Sequence, residues 1–271
     1  MVLKRFLAAS LSALLIFNMT ACNSNKNNDS DYNSRTLAHN VKPAIGISAK
    51  EAIDAYIKLY SNIDFSATSS DSISLEYKSE GAIAKETTLN VMKLSQDADS
   101  NITYVEGSSV STYGESGNNG ETLTTLIKQY VKKENNGPNT CMTWNFTTNA
   151  WESSTSITID TPPDRQKLID NTTLSEDVSS YIATVKCDAY YMGMDARASF
   201  LKGLDTNEHV VCNATLVIKI NKKTKQCSEF VLTMDVNDIN KHLSTEVQYN
   251  SIISAMKDIS FGSVELTMPE E

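Results

Sequence analysis

The commonest pattern in this chain is an alternation of apolar and polar side chains with a period of two. Between residues 72 and 79, for example, Ile73, Leu75 and Tyr77 alternate with serine, glutamate and lysine. Because successive side chains of a strand point to opposite faces, the alternation predicts strands with one buried and one solvated face. Turn sequences between the repeats predict an antiparallel meander. The strands predicted in the first half are 72–79, 87–94, 101–113, 122–133 and 141–147.

Glycine, asparagine and proline mark the predicted turns between these strands, at 81–85, 114–120 and 135–138. A further turn at Thr148-Asn149 sets Trp144 and Trp151 in facing positions. These tryptophans, with Tyr190 and Tyr191, are candidates for a binding face, although aromatic residues in sheets more often stabilise cross-strand pairs.

The second half repeats the pattern, with strands predicted at 181–191, 210–220, 226–235, 246–259 and 264–268. A tight turn at 221–225 joins two of them into a hairpin. We place Lys219 opposite Cys227, which sends the Cys227 thiol to the solvated face. The apolar side chains of this hairpin then share the buried face: Ala214, Leu216, Ile218, Ile220, Phe230, Leu232 and Met234.

Helical spacing of apolar residues is confined to a few segments. Ser48 and Glu51 have the spacing of a capping box, and an apolar stripe follows it to about residue 61. This predicts a long helix at the start of the folded region. Shorter helices are predicted at 164–171, 195–204 and 238–243.

The first 22 residues have the order of an export signal. Lys4 and Arg5 precede an apolar run from 6 to 17, and Met19-Thr20-Ala21-Cys22 follows. The run is shorter than the roughly 20 residues that a membrane-spanning helix needs. The last four residues resemble a bacterial lipobox, in which the cysteine is acylated on sulfur and becomes the new N-terminus. A plain secretory signal, which leaves Cys22 as a free thiol, is the alternative.

The segment after Cys22 consists almost wholly of asparagine, serine, aspartate and lysine up to Arg35. It has no apolar surface to bury, so we expect a flexible tether. We therefore divide the chain into a signal at 1–21, a tether at 22–47 and a single β-rich domain at 48–271.

Acidic residues outnumber basic ones by 33 to 24, giving a net charge of −9. Loss of Lys4 and Arg5 with the signal makes the mature chain still more negative. This charge argues against nucleic acid and against an anionic membrane surface as partners. We expect a monomer that meets the membrane only through a lipid on Cys22.

The whole order of elements resembles the LolA/LppX-like lipoproteins of Gram-positive bacteria: lipobox, polar tether, one amphipathic helix, a long meander, then strand, short helix and hairpin, ending in Phe261-Gly262-Ser263-Val264 to Glu270. The resemblance implies an α+β, mainly antiparallel β fold. Its sheet is a strongly curved half-barrel, with a long N-terminal helix and short helices covering the concave face. In characterised relatives the hollow holds lipid or acyl chains.

A hydrophobic or lipid ligand in that hollow is accordingly the first functional hypothesis. The helix stripe and the one-sided hairpin supply the expected lining, although the same side chains would equally fill a closed core. A surface-displayed structural or protein-interaction module without a small ligand is the alternative. The residues expected to line the cavity are Ile53, Tyr56, Ile57, Leu216, Ile218, Phe230, Leu232 and Met234.

Four cysteines remain after Cys22. The alternation of side chains along the two predicted strands places Cys187 and Cys212 on the buried face, where they could be neighbours if the strands pair. We hypothesise a Cys187–Cys212 disulfide; two small buried apolar residues are the alternative. No catalytic constellation is present, so we expect no enzyme activity. His39, His209 and His242 have no carboxylate or cysteine at a metal-ligand spacing, so we expect neither metal nor cofactor.

Overall fold

The protein is built on one antiparallel sheet of twelve strands, in the order β1-β8-β9-β10-β11-β12-β2-β3-β4-β5-β6-β7. The computed structural model describes residues 42–61, 63–79, 82–115, 121–134, 138–156, 162–193, 211–243 and 246–270. β1 and β7 are the outer strands, and they do not pair with each other within the described residues, so the sheet is open.

Five of the strands have 12 or more residues, and nearly all strands pair with their neighbours in sequence. Their bounds are β1 Lys42–Pro43, β2 Phe65–Ser79, β3 Ala82–Asp97, β4 Ile102–Glu115, β5 Glu121–Lys132, β6 Asn139–Asn145, β7 Ala150–Ser156, β8 Thr172–Glu176, β9 Ser180–Asp188, β10 Asn213–Asn221, β11 Cys227–Met234 and β12 Val247–Phe261. The meander from β2 to β7 confirms the antiparallel prediction from the alternating pattern. The antiparallel pairing of β12 with β2 joins the two halves of the chain into one sheet.

The helices within the described ranges are few and short. They are α1 Ala49–Ile57, α2 Arg165–Asp170 and α3 Val236–Asn240, with 3-10 turns at Lys58–Tyr60 and Ala189–Met192. The predicted capping box is confirmed, because Ser48 Oγ accepts from the Glu51 N–H while a Glu51 carboxylate oxygen accepts from the Ser48 N–H at 2.8 Å. The prediction of a long N-terminal helix is wrong, however. The α-helical hydrogen bonding ends at Ile57, a single 3-10 turn follows, and the backbone of Ser61 is extended. The helix predicted at 195–204 lies outside the described residues.

The helices lie on one face of the sheet, over β8 to β12. Apolar side chains of this helix-facing side form a single core that runs from Tyr56 and Leu168 through Phe230 to Met92 and Val105. The opposite side carries most of the strand lysines and many serines. The division into one buried and one solvated face is therefore confirmed.

The register of the hairpin β10–β11 differs from the predicted one. Lys219 lies opposite Glu229, to which it is ion-paired at 2.8 Å, and Cys227 lies opposite Ile220. Ser228 is the extra residue of a β-bulge, which reverses the side-chain parity before Glu229. Phe230, Leu232 and Met234 keep the predicted buried face, but Cys227 joins them there instead of facing solvent.

Three further boundaries differ from the predictions. β1 pairs with β8 inside the predicted tether, so the folded region begins by Lys42 rather than at Ser48. β8 was not predicted, because its five residues are too few for a clear alternation. The strand predicted at 264–268 is not formed; instead, the backbone N–H groups of Val264 and Leu266 donate to the carboxylates of Asp64 and Asp97.

Candidate functional site

The eight residues predicted to line a hollow come together between α1 and the β10–β11 hairpin. The Tyr56 ring meets the Phe230 ring edge-on, with centroids 5.2 Å apart. Ile53, Tyr56, Leu216 and Ile218 have no exposed surface. Ile57 is half-buried, and Phe230, Leu232 and Met234 are buried. All eight belong to the same core or pack against it.

This arrangement is a filled core rather than a hollow. A side chain that lines a cavity wide enough for an acyl chain keeps surface that a water molecule can touch, and four of these side chains keep none. Their packing supports the closed-core alternative for this part of the sheet.

The Tyr56 hydroxyl and the Cys227 thiol in this core are uncharged at neutral pH. The Tyr56 hydroxyl is 2.8 Å from that of Tyr60 and 3.4 Å from the Met192 carbonyl oxygen. Burial raises the pKa of Tyr56 well above its usual value, and burial raises the pKa of the Cys227 thiol to about 12. Neither group supplies a nucleophile or a base at neutral pH.

A second feature lies on the same face, one strand beyond the hairpin. Five polar residues stand side by side on β12, β2, β3, β4 and β5, each directly opposite the next, and we call them the central polar row. Leu232 of β11 lies directly opposite Ser254, so the row is in line with this apolar side chain of the hairpin. Its members are Ser254, Asp71, Asn90, Ser109 and Thr125.

Asp71 is the only carboxyl group in this row and is buried, with 6% of its surface exposed. Ser254 Oγ donates to its Oδ1 at 2.7 Å. Burial raises the pKa of Asp71 to about 7, against the opposing effects of Ser254 and the nearby Asn90 amide. A substantial fraction of Asp71 is therefore protonated near neutral pH, when it both donates and accepts.

Asn90 is the centre of the row and is 1% exposed. Its amide lies near enough to Asp71 to favour the ionised carboxyl. Among the described residues, however, neither Nδ2 nor Oδ1 of Asn90 meets the distance and angle limits of a hydrogen bond, so its interaction with Asp71 is a poorly aligned one. Most buried polar side chains are paired in good geometry, which makes this amide an exception.

The rows beside the central polar row mix apolar and polar side chains. One contains Met256, Met92 and Ile127 together with Ser69, and Gly107 makes room in it for the Met92 side chain. The other contains Ile252 and Ile73 together with Thr88 and Ser111, whose hydroxyl oxygens are 3.0 Å apart. Among the described side chains of β2 to β5, every lysine lies on the opposite face of the sheet. The helix-facing side of β2 to β5 thus carries neutral or acidic hydrogen-bonding groups at more than one level, with apolar side chains between them.

The opposite face carries an aromatic strip on the strands β4 to β7. Trp144 and Trp151 are cross-strand partners, as predicted, with ring centroids 5.3 Å apart. Tyr130 contacts Trp151 at 5.4 Å, and Tyr104 contacts Tyr130 at 4.5 Å. The Lys128 ammonium lies over both indole rings, at 5.6 and 5.5 Å from their centroids. Tyr190 and Tyr191 lie elsewhere, in the 3-10 turn after β9, and contact each other edge-on.

The hypothesised Cys187–Cys212 disulfide is not formed, and both cysteines are free thiols. Cys187 lies opposite Ala214, while the Ala189 N–H donates to the Cys212 carbonyl oxygen at 2.8 Å. The two cysteines are therefore diagonal neighbours, for which the Cα separation is about 7–8 Å. A disulfide needs a Cα separation of about 4.4–6.8 Å.

The remaining candidates from the sequence are Cys22 and the three histidines, and only one of these four lies within the described residues. Cys22, His39 and His209 lie outside the described residues, and His242 is exposed after α3. Across the described ranges, no group of three or more His, Cys, Asp or Glu side chains is placed to hold a metal ion. In the same ranges, no helix combines the length and the apolar character needed to cross a bilayer.

Sequence reasoning missed the central polar row. The alternating pattern alone shows that Asp71, Asn90 and Ser109 point to the buried face, since each occupies a position that is in step with the apolar residues of its strand. The signal that would have found the row is the strand pairing, which joins residues as far apart as 71 and 254.

No protein-family model matches the chain, and no curated protein matches it. The resemblance to LolA/LppX-like lipoproteins therefore stays a prediction.

Proposed function

We propose that this protein is an extracytoplasmic lipoprotein, anchored through Cys22 to the outer face of the cell membrane, that holds a hydrophobic or lipid ligand on the helix-facing side of its sheet. The observation that carries the ligand proposal is the one-sided sheet. Its helix-facing side extends the apolar core from the hairpin to Met92, Val105 and Ile127 on β3 to β5. No catalytic role is part of the proposal.

The ligand region in this proposal is the part of the sheet from β2 to β5. The space between α1 and the hairpin is occupied by packed side chains. The described helices pack over β8 to β12. We therefore place the acyl chain on the helix-facing side of β2 to β5, where Met92 and Val105 are as buried as the hairpin side chains and have to move apart to admit it.

The same proposal includes a sheet curved strongly into a half-barrel. Bulges support it, because β12 shifts register between Tyr249 and Ser251 and again between Lys257 and Ser260, and β10–β11 shifts between Lys219 and Ile220. Each bulge bends its strand and increases the local twist. The burial of Met92 and Val105 is also expected if the sheet curves around one core.

The anchor is tested by metabolic labelling with radioactive palmitate. The wild-type protein is expected to carry the label and Cys22→Ala to lose it. Cys187→Ala, which alters a half-buried thiol of the folded domain, is the matched control and keeps the label. Labelling that persists in Cys22→Ala contradicts the anchor.

The ligand region is tested by photolabelling the full-length protein, in detergent, with an acyl chain that bears a diazirine. Peptide mapping is expected to find the label on β2 to β5, for instance at Met92 or Ile127. Because these residues are buried, the probe is incubated for hours rather than minutes. Absence of labelling, or labelling confined to the aromatic strip, contradicts the proposal.

The aromatic strip favours a second function, that of a surface-displayed protein-interaction module. Its four rings are half-buried, and Leu126 beside them is 55% exposed. Aromatic residues and a nearby cation are typical of protein-binding surfaces. This alternative predicts that Trp144→Ala abolishes cross-linking to an envelope protein and leaves acyl photolabelling unchanged.

A further inference from the structure

Two aliphatic side chains of this protein are almost completely exposed to solvent. Ile45 is 94% exposed and Val178 is 95% exposed, whereas no other large hydrophobic side chain in the described ranges exceeds 57%. Single exposed aliphatic residues are ordinary features of a protein surface. These two are not isolated, however, because the turn that joins β10 to β11 contacts the chain beside both of them.

The first contact fixes the turn between β8 and β9. The Lys222 N–H donates to the carbonyl oxygen of Ser179 at 3.1 Å. The Lys222 ammonium donates to the carbonyl oxygen of Asp177. Val178 lies between these two acceptors in the chain, so it is held next to the turn 221–225.

The second contact fixes the segment between β1 and α1. The Lys225 ammonium donates to the carbonyl oxygen of Gly46, the neighbour of Ile45, at 2.6 Å. The ammonium groups of Lys222 and Lys225 both lie over the Tyr181 ring, at 5.3 and 4.1 Å from its centroid. The three segments therefore form one patch, which we call the tether corner; it consists of residues 45–46, 177–179 and 221–225.

The tether corner lies where the predicted tether joins the fold. Lys42 pairs with Glu176, the residue before Asp177, so the described chain begins beside the turn that carries Val178. Lys42 follows Cys22 by 20 positions. A flexible tether of that length has a root-mean-square end-to-end distance of about 25 Å. A lipid on Cys22 would therefore hold this corner, rather than the far end of the sheet, close to the bilayer.

Charge does not oppose contact between the tether corner and a membrane. The net charge of −9 argues against an anionic membrane as a partner of the chain as a whole. At the tether corner, however, three lysines are balanced by three carboxylates in or beside it. The lysines are Lys222, Lys223 and Lys225, and the carboxylates are Glu51, Glu176 and Asp177. Aliphatic side chains beside lysines suit the membrane interface, where apolar groups enter the acyl boundary and ammonium groups stay among the headgroups.

We propose that the tether corner docks onto the bilayer in which Cys22 is anchored, with the Ile45 and Val178 side chains inserted at the level of the headgroups. This inference rests on the anchor in the proposed function and adds a second contact with the same membrane. It also orients the sheet. The β10–β11 turn faces the bilayer, and the opposite end of β10, about 27 Å away along the strand, points away from it.

The test measures which positions of the full-length, acylated protein touch lipid. Photoreactive benzoylphenylalanine replaces Val178 in one sample and Val211 in the other, and both proteins are placed in vesicles of phosphatidylglycerol and phosphatidylethanolamine. Val211 is the matched control, because it is an exposed valine at the far end of β10. After irradiation, mass spectrometry is expected to find about tenfold more lipid adduct at position 178 than at position 211.

Flotation of the vesicles separates a failure of the docking from a failure of the anchor. If the protein floats with the vesicles but positions 178 and 211 give equal lipid adduct, the docking is overturned while the anchor stands. Adducts at position 178 that join two copies of the chain overturn it too, in favour of an interface between copies. If the protein does not float, the anchor fails and the docking with it. Should the Val178 variant not fold, the same replacement at Ile45 supplies the test, with the same tenfold expectation.

Discussion

Asp71 shows how a single buried carboxyl group makes stability depend on pH. Its pKa is about 7 in the folded protein and close to 3.8 when the chain is unfolded. Between these values the folded state binds the proton more tightly, so the contribution of Asp71 to stability is fully present below about pH 4. It is lost as the pH rises towards 7.

Asp71→Asn should remove this dependence, because an amide cannot ionise. We expect the free energy of unfolding of wild type, minus that of Asp71→Asn, to fall between pH 4 and pH 7 by at most about 4 kcal/mol, three pKa units at roughly 1.4 kcal/mol each. Urea unfolding at several pH values measures it. Carboxyl groups such as Asp54 and Asp238, whose pKa values are lowered to about 2, are present in both proteins and cancel. A difference that does not change with pH contradicts the burial of Asp71.

At the scale of elements, the start of α1 depends on two reciprocal hydrogen bonds between Ser48 and Glu51. Ser48→Ala removes the side-chain acceptor for an N–H of the first turn, so we expect a loss of about 1 kcal/mol in the free energy of unfolding. Ser263→Ala, at an exposed serine in the C-terminal segment, is the control and should change stability by less than about 0.5 kcal/mol. Equal effects of both substitutions would show that the capping box does not stabilise the fold.

Gly107 permits the close approach of β3 and β4 beside the central polar row. A Cβ at this position would overlap the Val91 carbonyl oxygen and lie 2.8 Å from the Met92 Cα. Gly107→Ala should therefore destabilise the protein by about 1–3 kcal/mol, as measured by urea unfolding. Gly262→Ala is the matched control, because a Cβ there meets nothing within 4 Å. Stability unchanged in Gly107→Ala would mean that the strands separate easily at this point.

Elements with local signals were predictable, and those that depend on distant pairing were not. Ser48 and Glu51 are three residues apart, and Trp144 and Trp151 flank one short turn, so the sequence near them contains the whole pattern. The bulge at Ser228 has no such signature, and it sent Cys227 to the wrong face. The central polar row required the pairing of β12 with β2, which no local pattern predicts.

On the scale of the whole molecule, the proposed function joins two independent parts. The order of charge, apolar run and Cys22 predicts the membrane anchor from sequence alone. The helix-facing side of the sheet supports the ligand proposal from the fold. One can fail without the other, because a lipid-anchored protein with a fully closed core would still display the aromatic strip on its opposite face.

Native mass spectrometry of the full-length protein, extracted from membranes in mild detergent, tests the central claim most directly. We expect a population heavier than the covalently acylated chain by the mass of an acyl lipid. That extra mass should be lost on collisional activation, while the anchor on Cys22 stays attached. If every preparation contains only the acylated chain, without a bound lipid, the carrier function is contradicted.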